Sequence, residues 1–442
     1  MVENGNKGDK APPMAPPPPL PLPLLRLRCS VQNYDWGCRG EDSRVARLFA
    51  RNSAAEVDPA RPYAEFWIGT HGSGPSFLLL RSGADPVSLE EWILQNPSVL
   101  GEKVAARWAG DLPFLFKVLS VAKALSIQAH PDKELAKVLH KMRPTIYKDA
   151  NHKPEMAIAL TDFRALCGFV TIEELKDVLA TVPEILELVG YKELSKIMND
   201  KEHDGHIEPK SFLQSIFTRL MSAKQEAVSE AVLKLKSRLN SDNKKRMLTE
   251  KEQLVLLLEK QYPGDVGVIS AFFFNYVKLS PGEALYIAAN EPHAYLSGEC
   301  IECMATSDNV VRAGLTPKFR DVQTLCSMLT YKQGFPEILR GVTLNPFVSR
   351  YTPPFDEFEV NRCLLPPQES VVFSAVPGPS IFLIVSGEGR ITVDSPANKE
   401  ETVAEGDVFF LPAHSEIRVS ASSAASGQLQ IYRAGVNSRF FD

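Results

Sequence analysis

The chain has 442 residues, of which 44% are hydrophobic, and its 49 Lys and Arg residues against 54 Asp and Glu give a formal net charge of -5. This length predicts two or three domains, and the nearly balanced charge argues against a nucleic-acid binder or a polybasic membrane protein. No apolar run reaches the roughly 18 residues that a transmembrane helix needs. We therefore expect a protein that binds neither nucleic acid nor membrane.

The seven cysteines are scattered and odd in number, which argues against a disulfide framework. Cys300 and Cys303 have the CxxC spacing of zinc and redox sites, but no second such pair accompanies them. The cysteine pattern thus favours a reducing compartment, and we expect a cytoplasmic protein.

The N-terminal part of the chain divides into a tail and a β domain. Residues 1–26 are rich in proline, which lacks the backbone N–H and clashes inside a helix, so we expect a disordered or polyproline tail. Residues 27–169 alternate short apolar runs such as Phe114–Leu119 with Gly and Pro, which predicts the first part of a β domain. Short helices are predicted at Leu89–Leu94 and Lys133–Lys141.

The middle of the chain is predicted to be a helical insertion over residues 170–265. Thr171 and Thr249 each precede a Glu by three residues, which is the capping box that begins a helix. Strand-like sequence returns at Val268. Residues 266–333 are therefore predicted to complete the interrupted β domain, and residues 334–442 to form a second β unit.

Two stretches of these β regions share one pattern. Gly282 and Gly406 are each followed by an acidic residue, an apolar run and a proline, and glycine supplies the turn into a strand. Both stretches resemble the cupin jelly roll. We predict a mainly β protein with an inserted α-helical domain, composed of two cupin-like jelly-roll units and a helical domain. The second unit has no His-x-His or Gln-x-His, so no metal site is expected there.

The best metal-binding candidate is the segment from Ser126 to His130. Alternate residues of a strand face the same side, which would place Gln128 beside His130. Glu155 and His293 are the natural further ligands, although this spacing alone leaves the metal open. The remaining histidines are interpreted as structural or solvent-facing: His71, His140, His203, His206 and His414.

The segment from Glu302 to Lys318 gathers two acidic residues, an amide, an arginine and a lysine. Such a segment is typical either of a phosphosugar or carboxylate site, or of surface salt bridges.

Two longer segments carry a resemblance to a known family. Residues 147–155 and 293–318 resemble the two signature motifs of type I mannose-6-phosphate isomerases, also called phosphomannose isomerases. Residues 33–37, 64–69 and 113–119 match the family in order. The resemblance extends from about Val31 to Lys318 and weakly to the C-terminus.

The resemblance implies a zinc enzyme that interconverts D-mannose 6-phosphate and D-fructose 6-phosphate and supplies the former for GDP-mannose synthesis. One Zn²⁺ per chain would be bound by Gln128, His130, Glu155 and His293. The implied partner is the phosphosugar substrate, and we expect a monomer.

Moving a carbonyl between C1 and C2 requires a base that transfers a proton through a cis-enediol or enediolate. We favour Glu302 as this base, and Asp308 with His152 is the alternative. Arg312 and Lys153 are expected to stabilise the developing oxyanion.

The phosphate requires local cations in an acidic protein. The candidate phosphate- and substrate-binding residues are Lys117, Ser126, Lys318 and Tyr295.

Two other classes of function compete with this interpretation. A bicupin binding or storage protein would lack the ligands or Arg312, and neither is lacking. A cupin oxygenase would prefer iron on two histidines and one carboxylate, whereas Gln128 and the nearby cations favour a phosphosugar.

Overall fold

The computed structural model describes residues 24–79, 86–190, 209–393, 400–423 and 427–442. Its strands are β1 (Leu25–Arg28), β2 (Ser30–Gln32), β3 (Cys38–Arg39), β4 (Pro62–Tyr63), β5 (Glu65–Ile68), β6 (Phe77–Leu78), β7 (Phe114–Val121), β8 (Ile127–Ala129), β9 (Glu155–Ala159), β10 (Phe163–Phe169), β11 (Phe274–Leu279), β12 (Ala284–Ile287), β13 (His293–Ala305), β14 (Val311–Gly314), β15 (Ile338–Leu339), β16 (Val342–Asn345), β17 (Val348–Tyr351), β18 (Glu359–Leu365), β19 (Ser370–Phe373), β20 (Ser380–Ser386), β21 (Glu388–Val393), β22 (Glu400–Ala404), β23 (Val408–Leu411), β24 (Ile417–Ala421) and β25 (Leu429–Gly435).

The α-helices of the described residues are α1 (Arg44–Ser53), α2 (Leu89–Gln95), α3 (Glu102–Arg107), α4 (Lys133–Met142), α5 (Ile172–Thr181), α6 (Pro183–Val189), α7 (Pro209–Met221), α8 (Gln225–Asp242), α9 (Glu250–Gln261), α10 (Val266–Ser270) and α11 (Val322–Met328). The predicted short helices are confirmed as α2 and α4. Both predicted capping boxes are confirmed as well, at the first turns of α5 and α9.

The first β unit is built around its longest strand. An eleven-stranded sheet runs in the order β15-β12-β9-β13-β7-β5-β2, and β8, β10, β11 and β14 are attached to it. Strand β13 pairs antiparallel with β7, β8, β9 and β10. The residues of β13 from Cys300 to Ala305 are all buried, as expected of a central strand.

The second β unit consists of two sheets. An eight-stranded sheet in the order β16-β17-β18-β25-β20-β23-β1-β6 lies with a four-stranded sheet, β19-β24-β21-β22, around a shared apolar core. Phe373, Phe382 and Phe409 are buried in this core. Strand β1 pairs with β23, Leu25 lying opposite Phe410, so the N-terminus of the described chain is part of this unit.

This pairing bears on the predicted tail. Residues 1–23 lie outside the described residues, but ordered strand begins at Leu25, before the predicted end of the tail at residue 26. Pairing with the distant strand β23 determines where strand β1 begins, and the proline content of the preceding segment does not indicate this position.

The two glycine turns are confirmed and are equivalent in geometry. Gly282 and Gly406 have φ angles of 91° and 90°, which favour glycine. Their N–H groups donate to carbonyls of a neighbouring strand or strand end, Gly282 to Ala159 at 2.8 Å and Gly406 to Ile384 at 2.9 Å. Each turn leads into a strand, β12 or β23.

The helical segment packs on the first β unit through aromatic side chains. Phe217 of α7 is fully buried and lies against Phe169, Phe273, Phe274 and Tyr331, with ring centroids 5.2 to 6.3 Å apart. These partners come from the end of β10, the start of β11 and a later loop, so the insertion shares a continuous core with the β unit.

Two predicted transitions differ from the structure. The strand expected from Val268 begins only at Phe274, because Asp265 caps helix α10 by accepting a hydrogen bond from Gly267 N–H. A short apolar run does not distinguish a buried helix from a strand.

After the predicted boundary at residue 333, β15 still pairs with β12 of the first unit, Leu339 lying opposite Ala284.

The predicted fold class is confirmed: the molecule is mostly sheet, in two β units, with a helical insertion. All seven cysteines are free. None of the helices in the described ranges is long and apolar enough to cross a membrane.

The aromatic contact between insertion and sheet generates a stability prediction. Phe217→Ala should lower the local free energy of opening by about 3 to 5 kcal/mol, because it removes a buried ring and leaves a cavity. Amide hydrogen exchange in α7 and α8 would measure this. Leu233→Ala is the control, because Leu233 is 58% exposed on α8 and its truncation should change stability by no more than about 0.5 kcal/mol. Equal effects of the two substitutions would contradict the proposed packing role.

Candidate active site

The ends of three strands bring the predicted metal ligands together. Gln128 lies on β8 and His130 directly follows it, while Glu155 begins β9 and His293 begins β13. In the register of the sheet, Gln128 lies opposite His293 on one side and opposite Arg312 of β14 on the other. The sheet therefore places residues that are far apart in sequence at one end of the β unit.

Three of these side chains form a compact, buried cluster. The Nε2 atom of His130 lies 3.3 Å from Oε1 of Glu155, and the Nε2 atom of His293 lies 3.2 Å from Oε2 of Glu155. One ligand atom from each residue lies within 4.8 Å of the others. Two imidazoles and a carboxylate at this spacing are a donor set that suits zinc.

Hydrogen bonds at the far side of each ring orient the two imidazoles. Nδ1 of His130 lies 2.6 Å from the carbonyl oxygen of Asn309, and Nδ1 of His293 lies 3.1 Å from that of Glu291. A carbonyl accepts only from a protonated nitrogen, so each neutral ring presents the lone pair of Nε2 to the cluster.

The cluster contains polar atoms that the protein itself does not satisfy. Nε2 of His130, Nε2 of His293 and Oε2 of Glu155 are buried and have no hydrogen-bond partner among the residues that the structure describes. Buried polar atoms are rarely left unsatisfied. A divalent cation would satisfy all three at once, so the residues fit a metal ion.

Protonation in the cluster favours metal binding. Burial, together with the nearby Lys153, lowers the pKa of His130 to about 4, so the ring is neutral at pH 7. Burial acts to raise the pKa of Glu155, but Lys153 and His130 more than offset it and leave that pKa well below the usual range. A neutral imidazole and an ionised carboxylate are the forms that bind a metal.

The cluster lies beside a cavity of about 370 Å³. Seven of the residues singled out in the sequence line its wall: Lys117, Ser126, Gln128, Lys153, Asp308, Arg312 and Lys318. Ser126 Oγ lies 3.5 Å from Oε1 of Gln128, and Nζ of Lys153 lies 2.9 Å from Oε1 of Glu155. The metal cluster and the cavity therefore share a boundary.

Lys117 occupies the centre of a buried charge network. Its Nζ lies 2.9 Å from Glu302 and 3.1 Å from Glu65, and the ammonium lies over the ring of Trp67. Trp67 Nε1 also donates to Glu65 at 2.5 Å. With its side chain only 6% exposed and two carboxylates beside it, Lys117 has little capacity left for a substrate phosphate.

Glu302 lies behind Lys117 and is almost fully buried. Glu302 is not one of the described residues that line the cavity. Burial raises the pKa of Glu302 although Lys117 acts in the opposite direction. This carboxylate therefore holds a proton more strongly than an exposed one.

Asp308 has a partner that the sequence analysis assigned to structure. His71 Nε2 lies 3.2 Å from Oδ1 of Asp308, and both residues line the cavity. The hydrogen bond from His71 lowers the pKa of Asp308. Asp149 accepts from Ser307 Oγ and from the N–H of Asp308, which ties the two signature segments together.

His152 and Tyr295 lie away from the cavity. His152 Nε2 lies 2.7 Å from Glu357, a buried residue of the second β unit, whereas the histidine that pairs with Asp308 among the described residues is His71. Tyr295 is buried against Phe163, and its hydroxyl finds no hydrogen-bond partner within the described ranges. His203 and His206 lie outside the described residues.

Arg312 and Lys318 differ from the other cations of the cavity. Neither side chain is in an ion pair with a carboxylate of the described ranges, and both line the cavity. Burial lowers the pKa of Arg312 from its usual value. These two side chains are available for an anionic ligand.

Several residues of this wall were not predicted from the sequence as site residues: Tyr34, Glu65, Trp67, His71, Lys123 and Tyr262. Glu65 and Trp67 alternate with Phe66 on β5, a period-two pattern that identifies two side chains on one face. Tyr262 directly follows helix α9 of the helical insertion, and no local pattern indicates its place in this wall.

The chain matches models of one protein family and individual known proteins. Residues 24–172 match the model of the type I phosphomannose isomerase catalytic domain, residues 188–274 that of the helical insertion domain and residues 351–396 that of the C-terminal region. The chain is 59% identical over 415 residues to mannose-6-phosphate isomerase 1 of Arabidopsis thaliana, covering 94% of each chain. It is 41% identical over 420 residues to mannose-6-phosphate isomerase of Homo sapiens, covering 92% of this chain and 97% of that one.

Solved structures agree with these matches. A mutant phosphomannose isomerase from Salmonella typhimurium superposes with a TM-score of 0.77 at 29% identity, covering 94% of this chain and 99% of that chain. A mannose 6-phosphate isomerase bound with zinc and yttrium has a TM-score of 0.76 at 28% identity, with the same coverage. The resemblance noted in the sequence is confirmed, and the chain belongs to the type I phosphomannose isomerase family of enzymes.

Proposed function

We propose that this isomerase interconverts D-mannose 6-phosphate and D-fructose 6-phosphate, with one zinc ion bound per chain. The observation that carries the proposal is the buried cluster of His130, Glu155 and His293, whose unsatisfied ligand atoms border a cavity. The cavity also contains Arg312 and Lys318, two cations that form no ion pair within the described part of the chain. The relatives named mannose-6-phosphate isomerases support the substrate.

Gln128, His130, Glu155 and His293 would hold the zinc ion. The amide oxygen of Gln128 would complete a set of one amide, two imidazoles and a carboxylate, and would leave room for substrate oxygens. When bound, zinc supplies positive charge that polarises and orients the sugar oxygens. The related structure bound with zinc supports this choice of metal.

The residues of the cavity would bind the open-chain sugar and move its protons. A base removes the C2 proton of mannose 6-phosphate, and its electron pair forms the C1=C2 bond of a cis-enediolate while charge develops on O1. Return of the proton to C1, with transfer of a proton from O2 to O1, completes fructose 6-phosphate.

We assign the base to Glu302. Its raised pKa makes Glu302 a stronger proton acceptor than an ordinary carboxylate, whereas the His71 contact lowers the pKa of Asp308 and weakens it as a base. Lys117 stands between Glu302 and the cavity, so this assignment requires the Lys117 side chain to turn aside in the substrate complex. Arg312 and Lys153 would stabilise the oxyanion.

The paired Asp308 and His71 would assist opening of the sugar ring. Asp308 is 46% exposed beside the cavity, and His71 rather than His152 lies within hydrogen-bond distance of it. His152 would instead fix the signature loop through Glu357.

The phosphate group would lie at Ser126 and Lys318. Lys117, the other expected phosphate ligand, would contribute little, because two carboxylates already neutralise its ammonium. Tyr295 would support His293 from behind, its ring centroid lying 6.1 Å from that of His293.

The proposal also covers the domain organisation, the location, the oligomeric state and the metabolic role of the protein. The chain would divide into a tail, a catalytic β domain interrupted by the helical insertion, and a C-terminal jelly roll without metal. It would act as a cytoplasmic monomer whose product supplies GDP-mannose synthesis.

Removal of the metal is the first test. In a coupled assay converting mannose 6-phosphate to fructose 6-phosphate, chelation should abolish the activity and added zinc should restore it. His293→Ala should lower bound zinc well below one ion per chain, measured by elemental analysis. The control is His414→Asn, because His414 is an exposed residue of the second β unit with a φ angle of 61° that Asn tolerates. Full activity in a demonstrably metal-free sample would refute the proposal.

The base assignment is tested by Glu302→Gln. This isosteric change should reduce kcat by about 10² to 10⁴-fold and abolish exchange of the C2 proton with solvent. In the wild type, kcat/KM should fall as the pH drops through the raised pKa of Glu302, and the variant's residual activity should lack this acidic limb.

Glu299→Gln is the matched control for this experiment, because Glu299 lies on the same strand and pairs with Arg44 outside the cavity. If Asp308→Asn abolished C2 proton exchange while Glu302→Gln retained it, the base would be Asp308.

A further inference from the structure

Lys123 is a further cation of the cavity wall, in addition to Lys117, Lys153, Arg312 and Lys318. Its Nζ lies 4.3 Å from the ring centroid of Tyr262, and both residues line the same cavity as Ser126, Arg312 and Lys318. Its nearest carboxylate oxygen among the described ion pairs belongs to Asp35, 3.9 Å away, and that side chain is 85% exposed. Such an exposed pair is weak, so a phosphate can replace it.

The backbone that carries Lys123 is fixed from several directions. The N–H groups of Ala122 and Lys123 both donate to the carbonyl of Trp36, at 3.0 and 3.1 Å. The N–H of Ala124 donates to Oε1 of Gln261 at 3.0 Å, and the hydroxyl of Tyr262 donates to the carbonyl of Ala124 at 2.6 Å. The segment leading to Ser126 is therefore held before substrate arrives.

Two of these anchors come from the helical insertion. Gln261 is the last residue of α9 and Tyr262 directly follows it. The end of this helix therefore forms hydrogen bonds to both the N–H and the carbonyl of Ala124. The same tyrosine then contacts the ammonium of Lys123 with its ring, a cation–π contact that limits where this side chain can go.

The charge of the ligand indicates what this cation does. A phosphate monoester carries nearly two negative charges at pH 7, and Lys117 and Lys153 are already committed to carboxylates. We propose that Lys123 binds the substrate phosphate together with Ser126 and Lys318, and that Tyr262 is a positioning residue through which the helical insertion completes the phosphate subsite.

This inference rests on the proposed function, and it assigns to the insertion a part in substrate binding in addition to stability. Loss of one charged contact to the phosphate should weaken binding about tenfold without changing the proton-transfer step. The expected signature is therefore a change in KM with kcat preserved.

The first experiment compares zinc-loaded full-length variants. Lys123→Met should raise KM for mannose 6-phosphate about tenfold, change kcat by less than about twofold, and raise the inhibition constant of inorganic phosphate in parallel. Lys123→Arg should restore most of the affinity. Lys260→Met is the matched control, because Lys260 is an exposed lysine of α9 that does not line the cavity.

The second experiment separates positioning from general stability. Tyr262→Phe keeps the ring beside Lys123 and should raise KM less than Tyr262→Leu, which removes both contacts. Combining Tyr262→Leu with Lys123→Met should raise KM by less than the product of the two single effects, because both substitutions remove the contact between Tyr262 and Lys123. Thermal unfolding midpoints of the variants would show whether a KM change merely follows loss of structure.

The outcomes separate this inference from the proposed function. Wild-type activity with an unchanged KM in Lys123→Met would overturn the inference and leave the isomerase proposal intact. An inactive wild type would overturn the isomerase proposal. Calorimetric binding of inorganic phosphate would then still test Lys123, and equal affinity in wild type and Lys123→Met would overturn its assignment.

Discussion

The burial of Glu155 between two imidazoles and one ammonium is the constraint around which the active site is arranged. A buried carboxylate costs several kcal/mol unless charge and hydrogen bonds compensate it, so its neighbours must be placed accurately. His130, His293 and Lys153 meet this requirement from separate strands and a loop. The unsatisfied Nε2 atoms show that the protein part of the compensation is incomplete, which is the physical reason to expect a cation there.

A second buried network lies one strand away and depends on the same sheet. Lys117 of β7 and Glu302 of β13 are opposite each other in the register, and Trp67 of β5 lies opposite Lys117 on its other side. Alternation along these strands points the polar residues into the site while their neighbours pack in the apolar core. The sheet thus fixes both charge networks relative to each other, and a register shift of one residue would disrupt both.

The site also receives contacts from the other parts of the molecule. The second β unit contributes Glu357, which holds His152, and the helical insertion contributes Gln261 and Tyr262, which hold the segment before Ser126. Neither contact is to the metal cluster. In the proposed function the first β unit would therefore supply the reactive groups, while the two additional parts hold neighbouring segments of the site in place.

The sequence by itself determined the fold class, the capping boxes, the glycine turns and the four candidate ligands, because each has a local signature of period, cap or motif. Only the tertiary structure decided the partners: His71 lies beside Asp308, His152 turns to Glu357, and Lys117 is neutralised by two carboxylates. It also decided that residues 266–270 are helical, where an apolar run alone is ambiguous. Contacts between residues hundreds of positions apart leave no periodic signal, and the pKa of a buried group depends on those contacts.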